Sequence, residues 1–145
     1  MNINKAQARV LIYEGIPGSG KTSLRYAYGK LTQFVDLTID RFTPTQWVFS
    51  QLRNDLIVQD LSEIEQALDN ILNVVVIWCQ CPIEKAFQRC RQKRDFIDSS
   101  IDNLIKLEQL YKEYFSTKCK FSKIIELDTN RSLDNICLDL LKHFN

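Results

Sequence analysis

The sequence predicts an α/β fold, a three-layer sandwich in which helices flank a mainly parallel sheet of about four strands. Four apolar or β-branched runs lie at about 9–14, 33–40, 74–79 and 122–128. Segments with helical spacing of apolar residues separate them, and this alternation is typical of parallel sheets with right-handed crossovers. The run Val74–Cys79 is apolar at every position, which indicates a central strand covered on both faces.

The helices are predicted from periodicity and capping residues. The first follows the first strand and extends to about Lys30, with Gly29 as the stop signal near its end. Thr43 with Pro44 behind it is typical of a helix start and predicts a helix over about 44–53. Further helices are expected at 61–72, from Pro82 onward, at 98–116, and from Ser132 to about Phe144.

Length and composition predict one domain spanning residues 1–145 of a cytoplasmic protein. A chain of 145 residues is long enough for a single sizeable core. A net charge of +1 provides no general attraction to nucleic acid or a membrane, so a nucleic-acid partner is unfavoured. The five cysteines are odd in number and lack C-x-x-C spacing, which favours reduced thiols. The polar start Met1–Ala8 does not resemble a signal peptide, and no apolar run has membrane-spanning length.

The stretch Gly15–Thr22 matches the phosphate-loop pattern G-x-x-x-x-G-K-[ST], between a predicted strand and a predicted helix. Backbone N–H groups of such a loop surround phosphates at the positive end of the helix. Lys21 would reach the outer phosphates, and the Thr22 hydroxyl would bind Mg²⁺. The alternative is a glycine-rich turn that matches by chance. We predict a nucleoside triphosphate in contact with Gly15, Pro17, Gly18, Ser19, Gly20, Lys21, Thr22 and Ser23.

Asp40 and Arg41 follow the second predicted strand, at the same edge of the sheet as the loop. An aspartate there could hold the metal and its water shell, and a guanidinium matches a phosphate with two parallel hydrogen bonds. The alternatives are a helix-capping aspartate and a surface arginine. We predict that Asp40 binds the metal and that Arg41 takes part in catalysis and binds the acceptor.

A second basic group, Arg89, Arg91 and Arg94, lies in a lid-like segment around 89–98. Phosphoryl transfer needs cations that stabilise charge spreading over the transferred group, and a closing lid also excludes water. The alternative is a solvated basic helix end favoured by the helix dipole. Nucleic-acid binding would be a rival use of these arginines, but the near-neutral chain argues against it.

Four further residues are candidates for contact with an acceptor. Phe42, Trp47 and Phe49 could stack on a base, although aromatic residues of a helix more often fill the core. Glu14 directly precedes the phosphate loop, and either a ligand or the backbone could be its partner.

These motifs resemble thymidylate kinases and the related deoxynucleoside kinases. The likeness rests on Glu14–Thr22, on Asp40-Arg41-Phe42-x-x-Thr45-x-x-Val48-Phe49, and on the arginine-bearing segment Pro82–Asp95. It implies a P-loop kinase-like fold that transfers the γ-phosphoryl group of ATP to a nucleotide or nucleoside with Mg²⁺. It also implies a homodimer, and it places Thr129, Asn130 and Arg131 in the loop that packs on adenine, with Asn130 and Arg131 as the predicted contacts.

The chain departs from that family on the acceptor side. Asp40 comes only eighteen positions after Thr22, where the family inserts a further strand and helix with an acidic-proline motif, and no Glu-Pro dipeptide occurs. Ser50 stands where a base-reading glutamine is expected. The prediction is therefore a compact thymidylate-kinase-like enzyme. The alternatives are an ATP-binding regulatory protein with reduced catalysis and a small-molecule kinase of the shikimate or gluconate type.

Overall fold

The structure is a computed structural model that describes residues 9–93 and 100–144. The strands are β1 (Arg9–Glu14), β2 (Leu37–Asp40), β3 (Asn73–Gln80) and β4 (Ile124–Asp128). The helices are α1 (Lys21–Leu31), α2 (Thr43–Arg53), α3 (Leu61–Ile71), α4 (Ile83–Lys93), α5 (Ile101–Thr117) and α6 (Leu133–Lys142). No described helix combines the length and the apolar character that crossing a membrane requires.

All four strands are parallel and lie in the order β2-β1-β3-β4. Val10 is paired with Leu37 on one side and with Val74 on the other, so β1 is central. The chain therefore moves outward from β1 to β2 and then crosses to the far side of β1. Ligands of open parallel sheets bind at such a switch point, beyond the carboxyl ends of the strands.

The sheet has a core on each face, and alternate residues of the central strands belong to different cores, because successive side chains of a strand point to opposite faces. Leu11 and Tyr13 join the core that includes residues of α1 and α6. Val10 and Ile12 point to the other face, where α2, α3, α4 and α5 supply the packing residues. The predicted α/β fold with helices on both sides of a parallel sheet is confirmed.

The second strand is shorter than predicted, because residues 33–36 turn the chain at the end of α1. Gln33 and Phe34 adopt left-handed backbone conformations with φ of 57° and 53°. The Phe34 N–H donates to the Gly29 carbonyl over 2.7 Å, and the Gln33 N–H donates to that of Lys30 over 3.3 Å. This is the Schellman arrangement that ends a helix, formed without glycine at the left-handed position.

Gly29 does not have the predicted role of stop signal. It lies inside α1, and a Cβ atom there would be only 2.4 Å from a ring carbon of Phe34. The residue thus makes room for the aromatic ring of the turn that follows.

Candidate active site at the phosphate loop

The phosphate loop connects β1 to α1, and Lys21 is the first residue of that helix. Its side chain is buried. The ammonium donates to the carbonyls of Gly15 and Ile16, each over 2.9 Å, and to the Ser19 hydroxyl over 3.3 Å. The loop therefore curls around the lysine ammonium.

The first turn of α1 lacks a side-chain cap. Gly20 occupies the N-cap position with a left-handed φ of 91°, and the first turn contains no acidic residue. The first N–H groups of a helix have no partner within the helix and attract anions. Uncapped amides beside a lysine ammonium fit a phosphate group.

Helix α4 packs directly against the tip of the loop. Gly18 has a φ of 78°, and a Cβ atom there would be 2.2 Å from the Ala86 carbonyl oxygen. Glycine is therefore needed at this position both for its backbone conformation and for space.

Arg89 of α4 joins the phosphate loop to the segment after β4. Its guanidinium donates to the Gly18 carbonyl over 3.1 Å and to the Thr129 carbonyl over 3.4 Å. Thr129 is buried, and its hydroxyl donates to the Ser19 carbonyl over 2.5 Å. The sequence placed Thr129 in the loop expected to pack on adenine, whereas its hydroxyl and carbonyl contact Ser19 and Arg89 beside the phosphate loop.

The other two basic residues of the lid-like segment differ from Arg89 in position. Arg91 is exposed, with its guanidinium carbon 5.8 Å from the centre of the Phe87 ring. Arg94 and the rest of the segment, 94–99, lie outside the described residues. Of the predicted lid, the structure therefore describes the end of α4.

Asp40 and Arg41 lie at the end of β2, and Asp40 is paired with Tyr13 of the neighbouring strand. Asp40 is exposed, and its negative charge acts on Lys21. Arg41 has a left-handed φ of 65°, and its guanidinium carbon is 5.6 Å from the Phe49 ring centre. The expected convergence of Lys21, Asp40 and Arg41 at one edge of the sheet is thus present.

Glu14 is fully buried at the end of β1. One carboxylate oxygen accepts from the Phe42 N–H over 2.6 Å, and the other accepts from the Thr45 hydroxyl. The Thr45 oxygen is also 2.7 Å from the hydroxyl of Tyr111 in α5. Glu14 therefore connects the phosphate loop to the start of α2.

Burial changes the proton affinity of both ionisable residues around the loop. It raises the pKa of the Glu14 carboxyl to about 7, although the hydrogen bonds from Thr45 and Phe42 oppose the rise. Burial, and then the charge of Arg41, lower the pKa of the Lys21 ammonium to about 8. Both groups can therefore titrate within two units of neutral pH.

The metal prediction depends on Thr22 and Asp40, and both side chains are exposed at this edge. No group of three or more His, Cys, Asp or Glu residues in the described ranges could hold a metal ion. Mg²⁺ commonly binds through one or two protein oxygens together with phosphates and water. A hydroxyl and a carboxylate fit that mode of binding.

The predicted aromatic acceptor contacts lie in different surroundings. Phe42 packs against the core that includes Val10 and Ile12. The Trp47 ring centre is 5.5 Å from that of Tyr114. The Phe49 ring is the one near Arg41 described above. Their roles as acceptor contacts stay predictions.

The predicted adenine contacts, Asn130 and Arg131, are exposed beyond β4. The Asn130 N–H donates to the Asp128 carboxylate over 2.8 Å. The Arg131 guanidinium donates to the Asp139 carboxylate of α6 and to the Asp128 carbonyl, the latter over 3.1 Å. These hydrogen bonds hold the segment between β4 and α6, which follows Thr129 beside the phosphate loop.

A phosphate loop at the switch point of a four-stranded parallel sheet, with helices on both faces, is consistent with a P-loop kinase-like fold. Known structures support this class. The chain is similar to deoxyadenosine kinase from M. mycoides with the products dCMP and dCDP bound, at a TM-score of 0.64 and 12% identity, over 94% of this chain and 98% of that one. It is also similar to the YorR protein of Bacillus subtilis in complex with phosphorylated GDP, at a TM-score of 0.71 and 16% identity, over 93% of this chain and 95% of that one.

The likeness identifies the fold as that of the deoxynucleoside kinase-like P-loop kinases, and the resemblance inferred from the sequence motifs is confirmed at that level. No protein-family profile matches the chain, and no curated protein matches significantly. Sequence identities of 12% and 16% show the fold alone, so any inference about substrate and metal depends on the site residues.

Proposed function

We propose that the protein is an ATP- and Mg²⁺-dependent phosphotransferase whose acceptor is a small (deoxy)nucleoside or its monophosphate. The observation that carries the proposal is the presence of three cations near one phosphate loop, namely Lys21 of α1, Arg89 of α4 and Arg41 directly after β2. Phosphoryl transfer is catalysed chiefly by such positioning and charge stabilisation. A deoxyadenosine kinase and a nucleotide-bound protein among the similar structures support this substrate class.

Each residue has a proposed task. Lys21 and the free N–H groups of α1 hold the donor phosphates, and Thr22 with Asp40 holds Mg²⁺, which would neutralise phosphate charge when bound. Arg89 stabilises negative charge that develops on the transferred group, because its guanidinium already lies on the loop at Gly18. Arg41 orients the acceptor. Arg91 and Arg94 remain proposed lid residues, and Asn130 and Arg131 remain proposed adenine contacts.

The segment between α1 and Asp40, on the side where the acceptor would bind, is short, and this favours a compact acceptor. Between α1 and Asp40 the chain forms one turn and the four-residue strand β2. A thymidylate preference is one form of the proposal. A cytoplasmic location belongs to it as well, because five cysteines that form no disulfide in the described residues suit a reducing compartment.

The test is release of ADP from ATP with a panel of deoxynucleosides and deoxynucleoside monophosphates, in the wild type and two lysine variants. Lys21→Ala should lower turnover by about 10²–10³, because one donor to the reacting phosphates is lost. Lys30→Ala is the matched control, since its exposed ammonium lies 4.5 Å from the Tyr26 ring centre on the same helix.

Equal turnover in wild type and Lys21→Ala would contradict the proposed mechanism. Tight ATP binding without transfer to any acceptor would instead favour the ATP-binding regulatory protein. Transfer to a sugar or a shikimate-like acid alone would favour the small-molecule kinase.

A further inference from the structure

The start of α2 is held against the phosphate loop by a hydrogen-bonded chain from Tyr111 through Thr45 to Glu14. All three side chains meet within the core between β1, α2 and α5, and Tyr111 is fully buried. When Glu14 is ionised it can only accept, so the Thr45 hydroxyl donates to it. That hydroxyl has a single hydrogen, and Tyr111 must therefore donate to Thr45.

The hydrogen-bonded chain acts on the backbone of Arg41. A left-handed backbone is unfavourable for a non-glycine residue and persists only where the surroundings enforce it. The Arg41 N–H donates to the Tyr13 carbonyl over 2.9 Å, and the next N–H, that of Phe42, donates to Glu14 over 2.6 Å. The peptide groups on both sides of the Arg41 Cα are thereby fixed to the end of β1.

We propose that Glu14, Thr45 and Tyr111 are positioning residues that hold Arg41 in its left-handed conformation and so direct its guanidinium to the acceptor side of the phosphate loop. The effect on the acceptor rests on the proposed function, whereas the effect on the backbone at Arg41 does not. Glu14 itself is fully buried, and both of its oxygens already accept hydrogen bonds. It acts on the acceptor through Arg41.

Protonation of Glu14 is the natural probe of this arrangement. The titratable groups that interact with it electrostatically are Lys21, Arg41, Cys79, Tyr111 and Cys119. Burial raises the pKa of both thiols to about 12 and raises the pKa of Tyr111 as well, so these three are neutral at pH 7. The charges that Glu14 meets at neutral pH are therefore those of Lys21 and Arg41.

A second Thr–Glu–Tyr group, whose threonine and tyrosine come from the same two helices, α2 and α5, provides the control. Glu65 of α3 accepts from the Thr43 hydroxyl over 2.5 Å and from the Tyr114 hydroxyl over 2.8 Å. Its other oxygen accepts from the Lys120 N–H, which belongs to the segment after α5. The Glu65 carboxylate accepts from the Lys120 N–H, whereas that of Glu14 accepts from the Phe42 N–H, so Tyr114→Phe should leave the Arg41 backbone unchanged.

The experiment follows the Phe42 amide resonance by NMR against pH, in the full chain. In the wild type this resonance should titrate with a midpoint near pH 7, the pKa of its partner Glu14. Thr45→Val should raise the midpoint, because the hydrogen bond from Thr45 lowers that pKa. Thr45→Ser should restore it, and Tyr114→Phe should not change it. A Phe42 amide that does not titrate, or a Thr45→Ser variant that behaves like Thr45→Val, would overturn the proposal.

The kinetic arm uses the same variants with an acceptor found by the ADP-release panel. Thr45→Val and Tyr111→Phe should raise the acceptor KM about tenfold and leave the ATP KM within about twofold, because the loss of one hydrogen bond in this chain affects the acceptor side. An equal rise in both KM values, or loss of thermal stability alone, would show a purely structural role. If no acceptor supports turnover, the proposed function fails, and the NMR arm still decides whether Glu14 and Thr45 act on the peptide group that follows Arg41.

Discussion

Arg89 and Arg91 offer a direct comparison, because they lie two residues apart on α4 and face different surroundings. Arg89 donates to the carbonyls of Gly18 and Thr129, whereas Arg91 is exposed above Phe87. Hydrogen bonds from a charged donor contribute about 1.5–3 kcal/mol each. Replacement of Arg89 by alanine removes two such bonds and also a cation beside the transferred group.

For Arg89→Ala we expect kcat to fall by about 10²–10³, equivalent to about 3–4 kcal/mol of lost transition-state stabilisation. ATP affinity should fall less, by about tenfold, because Lys21 and the helix amides still hold the donor phosphates. Arg91→Ala should lower kcat much less than Arg89→Ala, because the Arg91 side chain is exposed and Arg91 is proposed only as a lid residue.

The measurement is steady-state ADP release at saturating acceptor, with ATP affinity from calorimetry. Thermal melting of each variant separates a loss of function from a loss of folding. Equal losses in the two variants would refute the assignment of Arg89 to the site, and so would an Arg89→Ala enzyme with wild-type kcat.

Two further predictions concern stability. Gly18→Ala should lower the free energy of unfolding by several kcal/mol, because the new Cβ would meet the Ala86 carbonyl oxygen at 2.2 Å on a backbone with φ of 78°. Gly29→Ala should lower the free energy of unfolding much less, because the Phe34 ring is 58% exposed and can move away, and because alanine favours a helix. Chemical denaturation of both variants measures the difference. A larger loss in Gly29→Ala than in Gly18→Ala would contradict this reasoning. Glu14 has a folded pKa of about 7 against an ordinary value of 4.5, so the folded state binds its proton more tightly, and its contribution to stability falls as pH rises from about 4.5 to 7. Urea denaturation at pH 4.5 and pH 8 should show this decline, of about 3 kcal/mol, in the wild type and not in Glu14→Gln, and parallel pH profiles would contradict the raised pKa.

The sequence predicted the order of strands and helices because apolar periodicity and phosphate-loop spacing are local signals. The start of β2 was predicted at residue 33, four residues too early, because of the turn that ends α1. Gln33 and Phe34 continue an alternating apolar pattern, but the end of α1 forces both into left-handed conformations. Non-glycine residues in such a turn carry no distinctive sequence signal, so the pattern alone favoured a longer strand.

The sequence predicted the site residues that lie in a motif or at the end of a strand. It did not predict contacts between side chains that are distant in the sequence. Lys21, Asp40 and Arg41 follow strand ends, and the topology brings them together. The partners of Glu14 could not be foreseen, because Thr45 and Tyr111 lie 66 residues apart and meet only through the packing of α2 on α5. Thr129 likewise reaches Ser19 across 110 residues of chain.

The central claim is that this phosphate loop transfers the γ-phosphoryl group of ATP to a nucleoside or nucleotide. Incubation with ATP radiolabelled at the γ-phosphate, followed by separation of the products, tests it most directly. The label should appear on the acceptor with the wild type and Lys30→Ala, and it should be nearly absent from the acceptor with Lys21→Ala. Label that stays on ATP for every acceptor, or that appears only as inorganic phosphate, would contradict the account.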